Sequence, residues 1–390
     1  MAAWVRAALS AEDRAALLRF RESLQMRHSF RASIAACLVL STGSAALAQT
    51  APAAPTREAV VARAIESVIR PGYERLDKAG EVEAKAFTEL CAKPDEAKLK
   101  AARQGFADLA QAFGAVEFIR FGPITEGSRF ERYLFWPDRR GAAQRQAQII
   151  VNRRDADAAT SDLLPRKSVA VQGLTALEYV LFGNGSDALA SQAGAFRCRY
   201  GATIVGNLGQ ISDAVAEQWR HPHGIVERLT KPKPSDPTYR STQDSLQELF
   251  ATVVRGLTAV RELRILPGLN ALPGETKTNL FLFGRSDHAT AMLVADLDGL
   301  RALLADSGLL ALKPGTSLDP AQELGAIAVS IRALGPDLGQ AAGTAEGEAV
   351  LRDAMARIQT VETVLTTEVA PALGLSADFS ALDGDEKDTP

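Results

Sequence analysis

A chain of 390 residues, 46% hydrophobic and 6% aromatic, is long enough for a sizeable core and, on length alone, for two or three domains. Its formal net charge of -3 and the absence of a long basic run remove the electrostatic footprint of a nucleic-acid binder, so no nucleic acid is expected as a partner. Beyond the N-terminal region no apolar run is long enough to span a bilayer.

Met26-Arg27-His28-Ser29-Phe30-Arg31 is a short basic segment, Ile34 to Leu47 is apolar or small, and Ala46-Leu47-Ala48 has the small-x-small pattern of a signal-peptidase site. Export to the periplasm, with cleavage after Ala48, is the expectation. Such a signal starts at Met26, which leaves residues 1–25 as an upstream extension. A lipoprotein signal at Ile34-Ala35-Ala36-Cys37 is the alternative, although the apolar run before Cys37 is short. Residues 49–56, rich in Ala and Pro, read as a tether. Cys91 and Cys198 remain after cleavage; in an oxidising compartment they are either a disulfide or two separately buried thiols.

From residue 57 to 92 apolar side chains recur at helical spacing, with Pro71-Gly72 expected to kink or split the element. Pro94-Asp95 marks a new helix start. Leu99, Ala102, Phe106, Leu109, Phe113 and Val116 then step by three and four, the seam of a bundle helix. The next seam position is Arg120, with Glu117 beside it. Gly127 to Gly141 is a connection with an aromatic cluster between arginines, expected to be a lid or packing loop.

Leu164 to Ser186 predicts a helix that is apolar almost all round, interrupted by Gln172, Thr175 and Glu178 at intervals of three. An ionised carboxylate on such a helix needs a cation, a metal or a wet cleft. Arg120 is the candidate: either it pairs with Glu178, or both line one cavity.

Ser191 to Trp219 predicts a long helix, ended by His221-Pro222-His223, and Lys231 to Pro237 is the clearest linker. The second unit steps through Leu246, Phe250, Val253, Leu257 and Val260 to Arg264. Ala115–Pro123 aligns with Ala259–Pro267, which favours duplication of a bundle. The predicted fold is all-α, two fused antiparallel helical bundles over 57–230 and 238–385 related by internal duplication.

Gly173-Leu174-Thr175-Ala176-Leu177-Glu178-Tyr179, Phe121-Gly122-Pro123, Phe135-Trp136-Pro137-Asp138 and the ending from Gly374 to Asp385 together resemble the imelysin-like family, also grouped as M75 peptidases. The resemblance implies two fused helical bundles, export to the cell envelope, a relation to bacterial iron uptake, and a Gly-x-His-x-x-Glu motif near the bundle junction. Gly173 and Glu178 fit that motif, but Thr175 stands where it has histidine. A neutral hydroxyl is a weak substitute for an imidazole ligand.

The expectation is therefore a periplasmic binding protein without catalysis, serving iron or other metal uptake. Its cleft would be lined by Glu117, Arg120, Gln172, Gly173, Thr175 and Glu178, with Glu178 the metal ligand. The bound species would be iron, another divalent metal or an anionic metal chelate, and an inner-membrane or outer-membrane uptake component a partner. The alternative is an envelope interaction protein with a degenerate site and a structural Glu178–Arg120 ion pair. A metallopeptidase finds little support, because no His-Glu-x-x-His is present.

Overall fold

Three helices among the described residues widen into a π turn shortly before a proline, and each does so in the same way. Ala64–Ile69 precedes Pro71, Val260–Ile265 precedes Pro267, and Leu365–Val369 precedes Pro371. The residue before each proline, Arg70, Leu266 or Ala370, donates its N–H five residues back, to Ile65, Arg261 or Leu365. A proline inside a helix has no N–H to give and its ring crowds the carbonyl four residues earlier. Letting out one residue per turn relieves that crowding while the chain keeps its direction. So Pro71 does not split its helix, and an almost unbroken rod runs through Arg57–Arg63 (α1), the wide turn and Arg70–Ala92 (α2).

The computed structural model describes residues 54–138, 141–270 and 280–377. The expected signal peptide, its cleavage site, the lipobox alternative, the upstream extension and the start of the tether lie outside these residues. So does the end of the chain after Ala377. The fold is all-α, with no strand among the described residues. After α2 come Glu96–Gly114 (α3), Ala142–Arg153 (α4), Leu174–Phe182 (α5), Ala195–Arg220 (α6), Thr242–Ala259 (α7), Ala289–Ala305 (α8), Pro320–Arg332 (α9) and Ala345–Val364 (α10). Side-chain caps start several of them: Asp95 for α3, Asp319 for α9, Thr344 for α10, and for α7 a reciprocal capping box between Ser241 and Asp244.

Helix α2 packs against α3 and α6, and α5 lies against α3, α4 and α6; α8 packs on α9, and α9 on α10. The stretches before and after the Lys231–Pro237 segment meet where α3 crosses α8 and α1 lies on α7. At the first crossing the backbones come close: a Cβ on Gly114 would sit 2.9 Å from Met292 Sδ and 3.0 Å from Ala295 Cβ. One continuous apolar core runs through both stretches, from Val60 to Leu375. Cys91 at the end of α2 and Cys198 in α6 are disulfide-bonded, with Cα atoms 5.6 Å apart.

The aromatic connection after α3 is a packing element. Phe130 and Tyr133 are buried against Phe113, with ring centroids 6.0 and 4.8 Å away, and Trp136 donates its indole N–H to Leu263 O at 2.9 Å. The two segments aligned as a possible repeat differ locally: α3 stops at Gly114 and 115–118 is a turn, whereas Val260–Ile265 is the wide helical turn. No helix among the described residues is long and apolar enough to cross a membrane.

Candidate functional site

The predicted apolar helix is shorter than its hydropathy suggests. Residues 164–172 form two 3-10 turns, Leu164–Arg166 and Val169–Val171, and the α-helix begins only at Leu174. Gly173 is the reason for the break. It sits in extended backbone (φ -114°, ψ -164°) as the N-cap, and a Cβ there would come within 2.7 Å of Arg132 O and closer still to Tyr133 O. Only glycine lets the helix start this close to a neighbouring backbone.

This corrects the expected stripe. Gln172 lies before the helix and does not share a face with Thr175 and Glu178. Its side chain is spent on the loop: Nε2 donates to Lys167 O at 2.6 Å, and Oε1 accepts from Arg132 Nε at 3.1 Å. Asn207 Nδ2 adds a bond to Gln172 O at 3.1 Å, and Arg132 also reaches Asn207 Oδ1. At the other end of α5 the carbonyls are capped from outside. Buried Arg197 donates to Tyr179 O, Val180 O and Asn184 O at 2.8–2.9 Å, and Arg103 Nε to Leu181 O at 3.0 Å. Cations at a helix C-terminus satisfy its orphan carbonyls and oppose its dipole.

Glu178, 8% exposed on this short helix, is paired with Ser286 and not with Arg120. Its Oε1 accepts the Ser286 backbone N–H at 3.0 Å and the Ser286 hydroxyl at 2.8 Å. Burial pushes its carboxyl up, and the Ser286 hydroxyl, the Arg285 charge and the loop amides pull it back. Arg285 stacks over the Tyr179 ring at 5.9 Å and donates to Gln144 Oε1 at 2.7 Å. The loop just before α8 is thus fastened to α4 and α5. That loop holds two non-glycine residues in the left-handed region, Phe283 (φ 58°) and Asp287 (φ 59°). One turn before Glu178, the Thr175 hydroxyl is shielded from solvent and has no hydrogen-bond partner among the described residues.

Arg120 departs from expectation because the seam it was placed on ends at Gly114. Beyond the turn it is exposed, and its guanidinium lies 4.1 Å above the Phe130 ring, a cation–π contact. No Glu178–Arg120 ion pair forms among the described residues. Glu117 goes elsewhere too: both its oxygens receive Arg264 Nη2 at 2.6 Å, and Arg264 Nε lies 3.7 Å from Asp296 Oδ2. Arg264, Glu117 and Asp296 are 3%, 4% and 1% exposed. Two carboxyl groups share one guanidinium in a dry place. Burial, then the Glu117 charge, pushes the Asp296 carboxyl well above its ordinary range. Both Asp296 oxygens and Arg264 Nε and Nη1 make no hydrogen bond.

Thr175 and Glu178 thus come together on α5, while Glu117 and Arg120 belong to the Arg264–Asp296 neighbourhood, where their charges act on each other, and Gln172 and Gly173 shape the approach to the helix. Ser286, Arg264 and Asp296 complete the polar groups at the junction. Asp296 carried a partial signal, one of two acids on the apolar helix ATAMLVADLDGLRALLA and the one on its buried face, much as Glu178 was marked. Ser286 carried none, being 108 residues from its partner.

The donor set at the motif does not suit a bare first-row metal ion. It offers one carboxylate already accepting two hydrogen bonds and one neutral hydroxyl, where such ions take imidazole, thiolate or several carboxylates. No group of three His, Cys, Asp or Glu placed to hold a metal occurs among the described residues.

Two solved structures share this architecture. An imelysin-like protein from Psychrobacter arcticum 273-4 matches with a TM-score of 0.67 at 20% identity, over 83% of this chain and 98% of that one. A protein from Parabacteroides distasonis ATCC 8503, named as a candidate iron-regulated protein A precursor, matches with a TM-score of 0.64 at 14% identity, over 81% of this chain and 96% of that one. No curated protein matches the sequence. The family model for imelysin, Peptidase M75, matches residues 69–365, and the chain belongs to that family.

Proposed function

We propose that this protein is an exported, iron-related binding protein of the bacterial envelope that does not hydrolyse peptides, and that the iron reaches it as an anionic chelate rather than as a bare ion. The observation carrying this reading is the Glu178–Ser286 clamp. Glu178 Oε1 already holds an amide and a hydroxyl, and Thr175 beside it brings only a neutral hydroxyl in place of an imidazole, so the motif offers a bare ion too few ligands. The family and the name of the Parabacteroides protein support the iron relation. Export rests on the Met26–Ala48 pattern. Arg285, held beside Glu178 at the same loop, is the cation best placed to meet an anionic ligand.

Calorimetric titration of the purified protein with ferrous ions and with ferric citrate tests this. Ferric citrate is expected to bind and to weaken about tenfold in Arg285→Ala. Ferrous ions are expected to bind no tighter than to Glu178→Gln, whereas Thr175→His, which restores an imidazole three residues before the acid, gains affinity. Tight binding of the bare ion by the unmodified protein, or peptide cleavage abolished by a chelator, overturns the proposal.

A second reading, an envelope interaction protein whose motif is now structural, is favoured by the same clamp. In its revised form Ser286, not Arg120, is the partner of Glu178. It predicts that neither ferrous ions nor ferric citrate bind.

A further inference from the structure

A cavity of about 580 Å³ lies beside the loop that Glu178 fastens, and nothing so far described uses it. Its floor is one face of α8, where Ala291, Val294 and Ala295 expose small apolar surfaces. The far wall is the Gly335-Pro336 turn, fixed by the Thr290 hydroxyl, which donates to Gly335 O at 2.6 Å and Pro336 O at 3.3 Å. A volume of this size is that of a small-molecule site.

The two ends of the cavity differ in charge. At one end Asp298 is compensated by Arg332 at 3.5 Å and Arg301 at 3.7 Å. At the other, Asp287 makes no ion pair among the described residues, and Asp337 is near enough to oppose its charge. His288 supplies no compensating cation. Its ring is packed between Phe106 and Phe182, centroids 6.0 and 5.9 Å away, and burial favours the neutral imidazole. That end therefore presents an exposed carboxylate, unpaired among the described residues, and a neutral imidazole at the rim of an apolar floor. An anion there would be repelled by Asp287 and by Asp337 behind it, a neutral molecule would gain nothing from either, and an ammonium group would pair with Asp287.

We propose that this cavity binds a small organic ammonium compound, its charge on Asp287 and its apolar body along Val294 and Ala295. This site is separate from the proposed chelate site and does not rest on the iron reading.

Calorimetric titration of the purified protein with phenethylammonium, hydrocinnamate and phenethyl alcohol compares one body with three charges. The ammonium is expected to bind saturably and at least about tenfold tighter than the other two. Asp287→Asn, which keeps a residue type that tolerates the left-handed backbone, is expected to lose about tenfold. Val294→Trp, which fills the floor, is expected to abolish binding; thermal melting checks each variant, and Ala295→Met replaces Val294→Trp if the latter does not fold. Absence of saturable binding, equal affinity for the three compounds, or an unchanged affinity in Asp287→Asn overturns the proposal.

Discussion

Glu178 and Ser286, 108 residues apart, are joined through one carboxylate oxygen that takes both the backbone N–H and the hydroxyl of the serine. The motif acid is thereby the fastening of a loop whose backbone includes two left-handed non-glycine residues. Charge-assisted hydrogen bonds to a buried carboxylate are each worth about 1.5–3 kcal/mol, and removing the acceptor strands the donors. Glu178→Ala is expected to lower stability by about 3 kcal/mol in denaturant unfolding. Ser286→Ala removes only the hydroxyl and should cost about 1.5 kcal/mol, the lower end of that range, and the double variant should be less destabilised than the sum of the two. Strict additivity would mean that the two side chains act independently.

Arg264 is the counter-charge for two buried acids, so its loss is asymmetric with theirs. Arg264→Met removes the guanidinium bonded to Glu117 and facing Asp296, leaving the Arg120 charge as the remaining opposite neighbour, and is expected to cost about 3–5 kcal/mol. Arg264→Lys keeps the charge but not the planar fork, and should recover only part of that. Asp296→Asn replaces a carboxyl that burial already favours in its protonated form and should cost far less than either, measured by thermal unfolding near neutral pH.

Two buried carboxyl groups make stability depend on pH in the direction opposite to a salt bridge. Glu83 is fully buried between α2 and α3 with neither oxygen hydrogen-bonded, and burial, then Asp108, raises it well above 4.5; Asp296 is raised well above 3.8. The folded state keeps protons that the unfolded state releases. Stability is therefore fully present below these ordinary values and falls as pH rises toward the folded values, by up to about 1.4 kcal/mol per pH unit for each group. Melting between about pH 5 and pH 8 should show this decline, and Glu83→Gln with Asp296→Asn should flatten it. A wild-type profile that is flat or rising across this window, with the double variant unchanged, would refute the assignment.

The Cys91–Cys198 bridge closes a loop spanning a sequence separation of 107. In the chain-entropy account a loop of that length stabilises by up to about 4–5 kcal/mol. Cys91→Ser with Cys198→Ser, or reduction of the wild-type protein, is expected to lower the urea midpoint substantially. An unchanged midpoint would show that the unfolded chain is not restrained by the bridge.

The helical class, the end of α6 before His221-Pro222-His223 and the apolar seam of α3 were legible from periodicity, because burial of one face repeats every three to four residues. The start of α5 was not. Val169, Ala170 and Val171 look helical, yet what stops them is the Tyr133 backbone pressing on Gly173, a contact made from another segment. The same limit misled the placement of Arg120. Counting on from Val116 assumed that α3 continued, while it ends at Gly114, where α8 crosses it closely. That Glu178 had to find a partner followed from burial; that the partner is a serine hydroxyl and the backbone of the same loop did not, because neutral donors leave no charge pattern to find.

The wide turns before Pro71, Pro267 and Pro371 each hold one residue more than an α-helix would over the same length. Every surplus residue swings the side chains beyond it by about 100° around the axis. Arg264 lies inside such a turn, so the direction in which it meets Glu117 and Asp296 is set by where the chain inserts its extra residue. Shortening that turn by one residue would re-aim the only cation that those two buried acids share among the described ion pairs.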